Sequence, residues 1–294
     1  MDSIYPLVSI ITVSYNSDEV TADLLRSLQL VTYPRLEIIV VDNASVKDAG
    51  YLAKDFPQIQ FIQNTINEGF AGGNNRGIAV STGEIILLLN NDTEVEPGFL
   101  EPIVKLFQRD PGIGVISPKI LYYYTGLIQY AGGARINPFT ARGTFARSGE
   151  PDSNPGEPPF KTQLAHGAAM AIRRKVIDKI GALPEVYFLY YEELDYCEHA
   201  LRAGFSIWCQ PESVVLHKES MSVGKVSALK VYYQNRNRLL FIRRNIPGII
   251  GLISRLFFTL VSLPVGMLRF LLSSQPRYAA EVWKGFIWNL KYRS

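Results

Sequence analysis

The chain has 294 residues, 47% of them apolar and 19% charged, with a formal net charge of +3. That apolar share supplies a sizeable core and excludes disordered and fibrous classes, and so slight a basic excess excludes nucleic-acid binding by bulk electrostatics. Two cysteines, Cys197 and Cys209, match neither a disulfide framework nor the paired spacing of a zinc site, which implies a reducing compartment.

Residues 7–13 are β-branched and apolar, lack a basic leader and a cleavage site, and read as a first strand and not an export signal. A polar loop, Ser14-Tyr15-Asn16-Ser17-Asp18, opens an amphipathic helix to about residue 30. Residues 36–41 repeat the device and end in Asp42-Asn43-Ala44-Ser45, with Ser45 or a neighbour placed to cap the next helix. A third strand, 60–63, leads into Asn67-Glu68-Gly69-Phe70-Ala71-Gly72-Gly73-Asn74-Asn75-Arg76-Gly77 and a helix to about Ser81. The fourth, 85–89, is a run of five apolar residues, the mark of a strand buried on both faces, and stops at Asn90-Asn91-Asp92.

Strands alternating with helices at this spacing imply right-handed βαβ units, an α/β fold with a Rossmann-like, mostly parallel sheet flanked by helices. The polar loops then share the carboxyl edge, where Asn16, Asp42, Asn67 and Asp92 converge. No G-x-G-x-x-G follows the first strand and no G-x-x-x-x-G-K-[ST] occurs, so neither nucleotide fingerprint applies. Gly69, Gly72 and Gly73 mark a close approach of backbone to a ligand or another element, and Gly77 equally well marks helix packing. Asp92, on a strand tip, is either a hard oxygen ligand for Mg²⁺ or Mn²⁺ or part of a turn capping the helix that begins near Pro97.

From 120 to 160 the pattern loosens into irregular strands and a long Pro/Gly/Ser/Arg-rich loop, a place for acceptor binding. Residues 163–172 form a small-residue strand containing His166-Gly167-Ala168, with room for a sugar against the backbone, and a helix follows to about Ile180. In the next helix Leu194, Cys197 and Leu201 share a face and Gly204 closes the end, while Glu192, Glu193 and Asp195 crowd the first turn. The cluster serves either the helix dipole or, through a like-charge rise in pKa, a general base. Strands at 206–209 and 213–216 lead to His217 at a strand exit.

Residues 246–272 are almost wholly apolar, interrupted by Arg255, Pro264 and Arg269. The proline and the arginines favour an element lying in the headgroup region, with Arg243, Arg244, Arg255, Arg269, Lys284 and Lys291 facing anionic lipid and Trp283 and Trp288 at the interface. A tilted span and a helix hairpin completing a soluble core are the alternatives.

The segments 8–16, 41–45, 67–77, 88–92, His166-Gly167-Ala168-Ala169-Met170 and Tyr191-Glu192-Glu193-Leu194-Asp195 together resemble glycosyltransferase family 2, in particular bacterial rhamnosyltransferase-like members. The resemblance covers roughly residues 5–245 and implies a GT-A domain over 1–245 with an apolar helical tail over 246–294. It implies inverting transfer of rhamnose or a related sugar from a dTDP- or UDP-linked donor to a lipid-linked or polysaccharide acceptor, at the cytoplasmic face of the cell membrane.

By that resemblance, Ser14, Tyr15, Asn16, Asp42, Asn43, Asn67, Gly69, Phe70, Gly73, Asn74 and Asn91 line the donor, with Asp42 on the base. His166, Gly167 and Ala168 meet the acceptor, Asp92 and His217 hold Mg²⁺ or Mn²⁺, and Glu193 is the base, with Glu192 and Asp195 as its competitors. Two departures stand out: Asn90 and Asn91 fill places where relatives often carry acids, and Glu193 replaces the more usual Asp. The first leaves room for a different reading, a sugar-nucleotide or glycan-binding protein with little turnover.

Overall fold

The computed structural model describes residues 5–219 and 227–292. In chain order the strands are β1 (Val8–Ser14), β2 (Leu36–Asp42), β3 (Ile59–Gln63), β4 (Ile85–Leu89), β5 (Thr93–Val95), β6 (Ile113–Tyr122), β7 (Ile128–Tyr130), β8 (Gly133–Asn137), β9 (Arg142–Phe145), β10 (Phe160–Thr162), β11 (Ala169–Arg173) and β12 (Ser206–His217). The helices are α1 (Asp18–Leu28), α2 (Tyr51–Asp55), α3 (Gly69–Val80), α4 (Leu100–Arg109), α5 (Arg174–Ile180), α6 (Glu192–Arg202), α7 (Ala228–Asn245), α8 (Gly248–Phe257), α9 (Leu263–Leu272) and α10 (Pro276–Lys291).

The central sheet runs β10-β12-β6-β11-β4-β1-β2-β3. β3, β2, β1 and β4 pair in parallel, as do β6 and β12; β11 and β10 pair antiparallel with their neighbours. Mostly parallel is therefore right, and the reversal of β11 matters. Because β11 runs against its neighbours, its beginning lies at the edge where β1, β2, β4 and β12 end, which brings the 166–168 turn to the carboxyl lip.

Two apolar cores follow from the two-residue period of the strands. Ile10, Val40 and Leu87 pack with Leu24 and Leu25 of α1 and Ile103 of α4; Ile11, Ile39 and Leu88 pack with Ala71 of α3, Val176 of α5 and Ala200 of α6. α3 lies unusually close to β1, since a Cβ on Gly77 would stand 2.4 Å from a methyl carbon of Ile11. Packing is thus what Gly77 serves.

Local expectations need three corrections. Ser45 caps no helix, because its hydroxyl is turned onto Asp42, and α2 begins only at Tyr51 after Gly50. Residues 206–217 form one strand with an irregularity between Gln210 and Val214, where Pro211 has no N–H for the ladder. Pro264 does not break the apolar segment: α8 and α9 join through a π-helical stretch, Phe258–Ser262, into one helix, Gly248–Leu272. Pro264 sits in the first turn of α9, and the wider winding just before it accommodates the missing donor.

The tail is also less separate than a boundary at 245 suggests. α10 packs back on α7, with Asn289 donating to the Arg236 carbonyl at 2.8 Å and Arg243 donating to the Asn289 and Tyr292 carbonyls. Arg244 pairs with Asp195, and Trp288 stacks on Tyr292 with the Arg236 guanidinium over its ring. Arg243, Arg244 and Trp288 therefore make their contacts within the fold. Trp283 remains exposed.

Candidate active site

Four loops at the carboxyl edge are laced together by their own polar side chains. Asn16 donates its N–H to the Ser45 hydroxyl and accepts from the Val46 N–H, both at 2.8 Å, in a left-handed conformation at φ 52°. Asn43 gives its amide N–H groups to Asn67 and the Gly69 carbonyl, and its oxygen accepts from Asn64 and the Glu68 N–H. Asn91 reaches the Ser17 and Thr21 hydroxyls at 2.8 and 2.9 Å, tying the fourth loop to the start of α1. The convergence expected of Asn16, Asp42, Asn67 and Asp92 is met.

The same bonds redefine several of the candidate donor ligands. Ser14 is fully buried against Thr21, and Asn74 is buried with its amide on the Phe70 carbonyl. Asp42 is buried, with one carboxylate oxygen on the Ser45 hydroxyl at 2.5 Å and the other on the Ser45 N–H at 3.1 Å. As folded, Ser14, Asp42, Asn43, Asn74 and Asn91 build the lip. Gly69, Phe70 and Gly73 face inward too: the Phe70 N–H donates to the Phe188 carbonyl, and a Cβ on Gly73 would meet Val13 at 2.7 Å. Tyr15 is exposed beside an open cavity of about 270 Å³ lined by Asn16, Asp18, Lys47, Asn91 and Asp92. Lys47 was not singled out in the sequence, although a cation on this loop suits a diphosphate.

Asp92 and His217 meet, although 125 positions separate them: Oδ1 lies 3.0 Å from Nε2. On the other side of the ring, Nδ1 stands 2.7 Å from the Gln129 Oε1. An amide oxygen accepts, so Nδ1 carries a proton, and Nε2 faces the Asp92 carboxylate either as an N–H donor or as a lone pair across a cation. Two electron-rich atoms at that separation need a proton or a cation between them. The spacing also suits adjacent ligands around a divalent ion with bonds of about 2.1 Å. Two such ligands are compatible with a divalent ion, although among the described residues no third His, Cys, Asp or Glu joins them; Gln129 fixes the orientation of the His217 ring. Nothing in the local sequence pattern pointed to Gln129, since only sheet pairing of β7 with β6 brings it beside His217.

The 166–168 turn stands between this pair and the acidic helix. The His166 ring lies 6.2 Å from that of His217, and Asn90 donates its N–H to the Ala168 carbonyl at 2.9 Å. Burial and the neighbouring His217 push His166 down to about 3, so its ring is neutral, and its Nδ1 accepts the Ala168 N–H. On the far side, the Glu193 carboxyl carbon lies 3.7 Å from where a Cβ on Gly167 would be. The turn thus neighbours both the Asp92–His217 pair and the Glu193 carboxylate.

The three acids of α6 differ in environment. Burial raises the Glu193 carboxyl from the usual range to about 7, against backbone N–H groups that favour its anion. Glu192 is pushed well up too, by burial first and the charge of Glu193 second. Asp195 is fully buried and accepts from Tyr187 at 2.9 Å, from Asn245, and from Arg244 at 3.3 Å. Asp195 is therefore an anchor for the end of α7, which corrects its candidacy as a base: four groups already occupy that carboxylate or its vicinity, His199 being the fourth at 3.8 Å.

The chain leading into α6 is strained. Phe188, Tyr190 and Tyr191 have φ of 64°, 69° and 78°, a region that costs side-chain-bearing residues on the order of 1–2 kcal/mol each. Strain at a functional site persists only where surrounding contacts hold it.

Known proteins resemble the chain at both levels. It is 31% identical over 242 residues to the low-salt glycan biosynthesis hexosyltransferase Agl10 of Haloferax volcanii, covering 79% of this chain and 74% of that one. It is 23% identical to the N-acetylglucosaminyl-diphospho-decaprenol L-rhamnosyltransferase of Mycobacterium tuberculosis, covering 80% and 84%. Among solved structures, the mannosyltransferase PcManGT from Pyrobaculum calidifontis, in complex with GDP-Man and Mn²⁺, superposes with a TM-score of 0.61 at 17% identity over 95% of this chain and 74% of that one. S. aureus TarS 1-349 with UDP-GlcNAc gives 0.62 at 17% identity, over 95% and 80%. The sequence model of glycosyl transferase family 2 matches residues 9–181. With that match and the fold of the GT-A enzymes, the chain belongs to glycosyltransferase family 2, among relatives that make cell-surface glycans.

Proposed function

We propose that this protein is an inverting, metal-dependent glycosyltransferase that moves rhamnose or a related sugar from a dTDP- or UDP-linked donor to a lipid-linked or glycan acceptor. The observation that supports the reading is that one turn, 166–168, comes close both to the Asp92–His217 pair, through His166, and to Glu193, through Gly167. Inverting displacement needs a base on one face of the sugar and stabilisation of the departing diphosphate on the other. Glu193, poised near 7, accepts the proton of the acceptor hydroxyl as that oxygen attacks the anomeric carbon. Asn16 and Lys47 border the cavity that would take the diphosphate, and Asp92 and His217 would hold the ion. When bound there, Mg²⁺ or Mn²⁺ supplies positive charge to the leaving group. Solved neighbours that carry Mn²⁺ with GDP-Man, or with UDP and GalNAc, support a nucleotide-sugar donor and the ion.

Incubation with a panel of nucleotide sugars is expected to release diphosphate from a deoxysugar donor when Mn²⁺ or Mg²⁺ is present. Binding of donors without any turnover would instead favour a glycan-binding role. That second reading draws on Asn91, whose amide is committed to Ser17 and Thr21, so that Asp92 is left as the carboxylate of its loop.

The site of action is the cytoplasmic face of a membrane, with the tail lying along it. The helix Gly248–Leu272 has a mean hydropathy of 1.9, and Ile249, Ile253, Leu256, Leu260 and Leu268 are exposed. Its other side follows the domain: Gly251, Ser254, Phe258 and Leu263 are buried, Ser254 donates to the Phe139 carbonyl, and Arg238 reaches Ser262. This buried stripe favours an in-plane helix, since a span would carry Phe139, Thr140 and Arg238 toward the hydrocarbon. Replacing Leu256, Leu260 and Leu268 with Gln is expected to move the protein from the membrane pellet to the supernatant while donor hydrolysis persists. A parent protein already soluble without detergent counts against membrane contact. Truncation near 245 is the poorer test, because removing α10 strips cover from α7.

A further inference from the structure

The strained residues before Glu193 are held from two sides. From α7, Asn237 is fully buried, and its amide nitrogen faces the carbonyls of Tyr187, Leu189 and Tyr190 at 2.9, 2.7 and 2.8 Å. Its orientation is fixed by chemistry, since its oxygen accepts from Arg236 Nε at 2.7 Å while the nitrogen meets only carbonyls. Arg236 adds bonds to the Val186 and Tyr187 carbonyls. From α3, the Phe70 N–H donates to the Phe188 carbonyl at 2.6 Å, an approach possible because residue 69 is glycine: a Cβ there would stand 2.3 Å from that oxygen. Tyr191 closes the loop by donating to the Ala141 carbonyl at 2.9 Å.

We propose that Asn237 is a positioning residue: by gathering the carbonyls of Tyr187, Leu189 and Tyr190, in and around the left-handed residues Phe188, Tyr190 and Tyr191, it aims the first turn of α6 so that Glu193 meets the acceptor hydroxyl. Side chains other than glycine and asparagine leave the left-handed region when released. Freed, Tyr190 and Tyr191 relax, and the first turn of α6 shifts with them. The same loop also bonds the start of α3 at Phe70, and Asn43 of the lip bonds the Gly69 carbonyl beside it, so the base is registered against the carboxyl lip through one short segment. This inference rests on Glu193 being the base, but the grip on the loop can be read without catalysis.

The test uses full-length Asn237→Ala, with Asn237→Ser as a milder variant should the first fold poorly, and three readouts. Hydrogen exchange is expected to quicken at residues 187–194 and not in β1 or β4. Donor affinity by calorimetry is expected to hold, while kcat falls 10- to 100-fold with little change in the acceptor KM. The acidic limb of kcat is expected to move below its parental midpoint as water reaches Glu193, whose surroundings are Glu192 and Cys197 on its own helix and Tyr190 and Tyr191 from the loop. A purely structural role would lower the folded fraction alone, leaving kcat per folded molecule and the pH limb in place, and that outcome overturns the proposal. So does unchanged exchange at 187–194. Quickened exchange with unaltered kcat, in a protein whose Glu193→Gln variant still turns over, would instead indict the choice of base.

Discussion

Glu193→Gln is expected to abolish sugar transfer, lowering kcat by about 10²–10⁴-fold, the usual contribution of a positioned general base, with donor affinity intact. Gln keeps the shape and loses the basic oxygen. Retained turnover in a discontinuous assay of acceptor product would remove Glu193 from the role. The parent enzyme has its own signature. A base must be ionised to act, and burial holds this carboxyl near 7, so kcat should rise as pH passes through about 7 and level off above it.

Stability runs the opposite way. Below the ordinary carboxylate range Glu193 is neutral in both the folded and unfolded chains. As pH climbs from about 4.5 to 7 the unfolded chain has already released the proton that the folded chain retains, and stability declines until the folded group ionises too. The Gln variant escapes that decline. It should therefore melt above the parent at pH 8 and close to it at pH 4, with about 1.4 kcal/mol of difference for each unit of raised pKa. Equal melting temperatures at pH 8 would mean the carboxyl is not buried as described.

Asp92→Ala is expected to remove Mn²⁺-dependent donor binding, weakening it by about 100-fold or more, since even an outer partner of a metal ligand is worth about 10–100-fold. Removing one of two groups that meet at 3.0 Å leaves His217 without its neighbour across the site. Gln129→Leu should give the intermediate result, because the His217 ring remains but loses the acceptor that fixes its tautomer. Titration calorimetry of the nucleoside diphosphate with and without Mn²⁺ separates the cases. Unchanged metal-dependent affinity in the Asp92 variant would refute the assignment, and chelation of the parent should reproduce the loss.

Much of this was readable from the chain because it is written in short-range pattern. Apolar runs of five to seven residues gave β1, β2 and β4 close to their observed bounds, and polar residues at their ends marked the lip. The resemblance then singled out Asp92, His217 and Glu193. What it could not divide was the acidic trio. Glu192, Glu193 and Asp195 look alike in sequence, yet Asp195 turns to Tyr187, Asn245 and Arg244, partners 8 and about 50 positions away. The tail divides in the same manner: Arg243, Arg244 and Trp288 suit lipid by composition and meet protein in fact.

The sequence by itself determined an α/β sheet, a polar carboxyl edge and membership of a sugar-transferring family, because strand period, loop polarity and motif order are local properties. Only the tertiary structure decided that β11 runs backward and carries the 166–168 turn to the lip, that Gln129 orients His217, and that Asn237 grips the loop ahead of Glu193. The physical reason is that pKa, tautomer and aim depend on which groups sit within about 3 Å, and in this protein those groups come from strands and helices far apart in the chain.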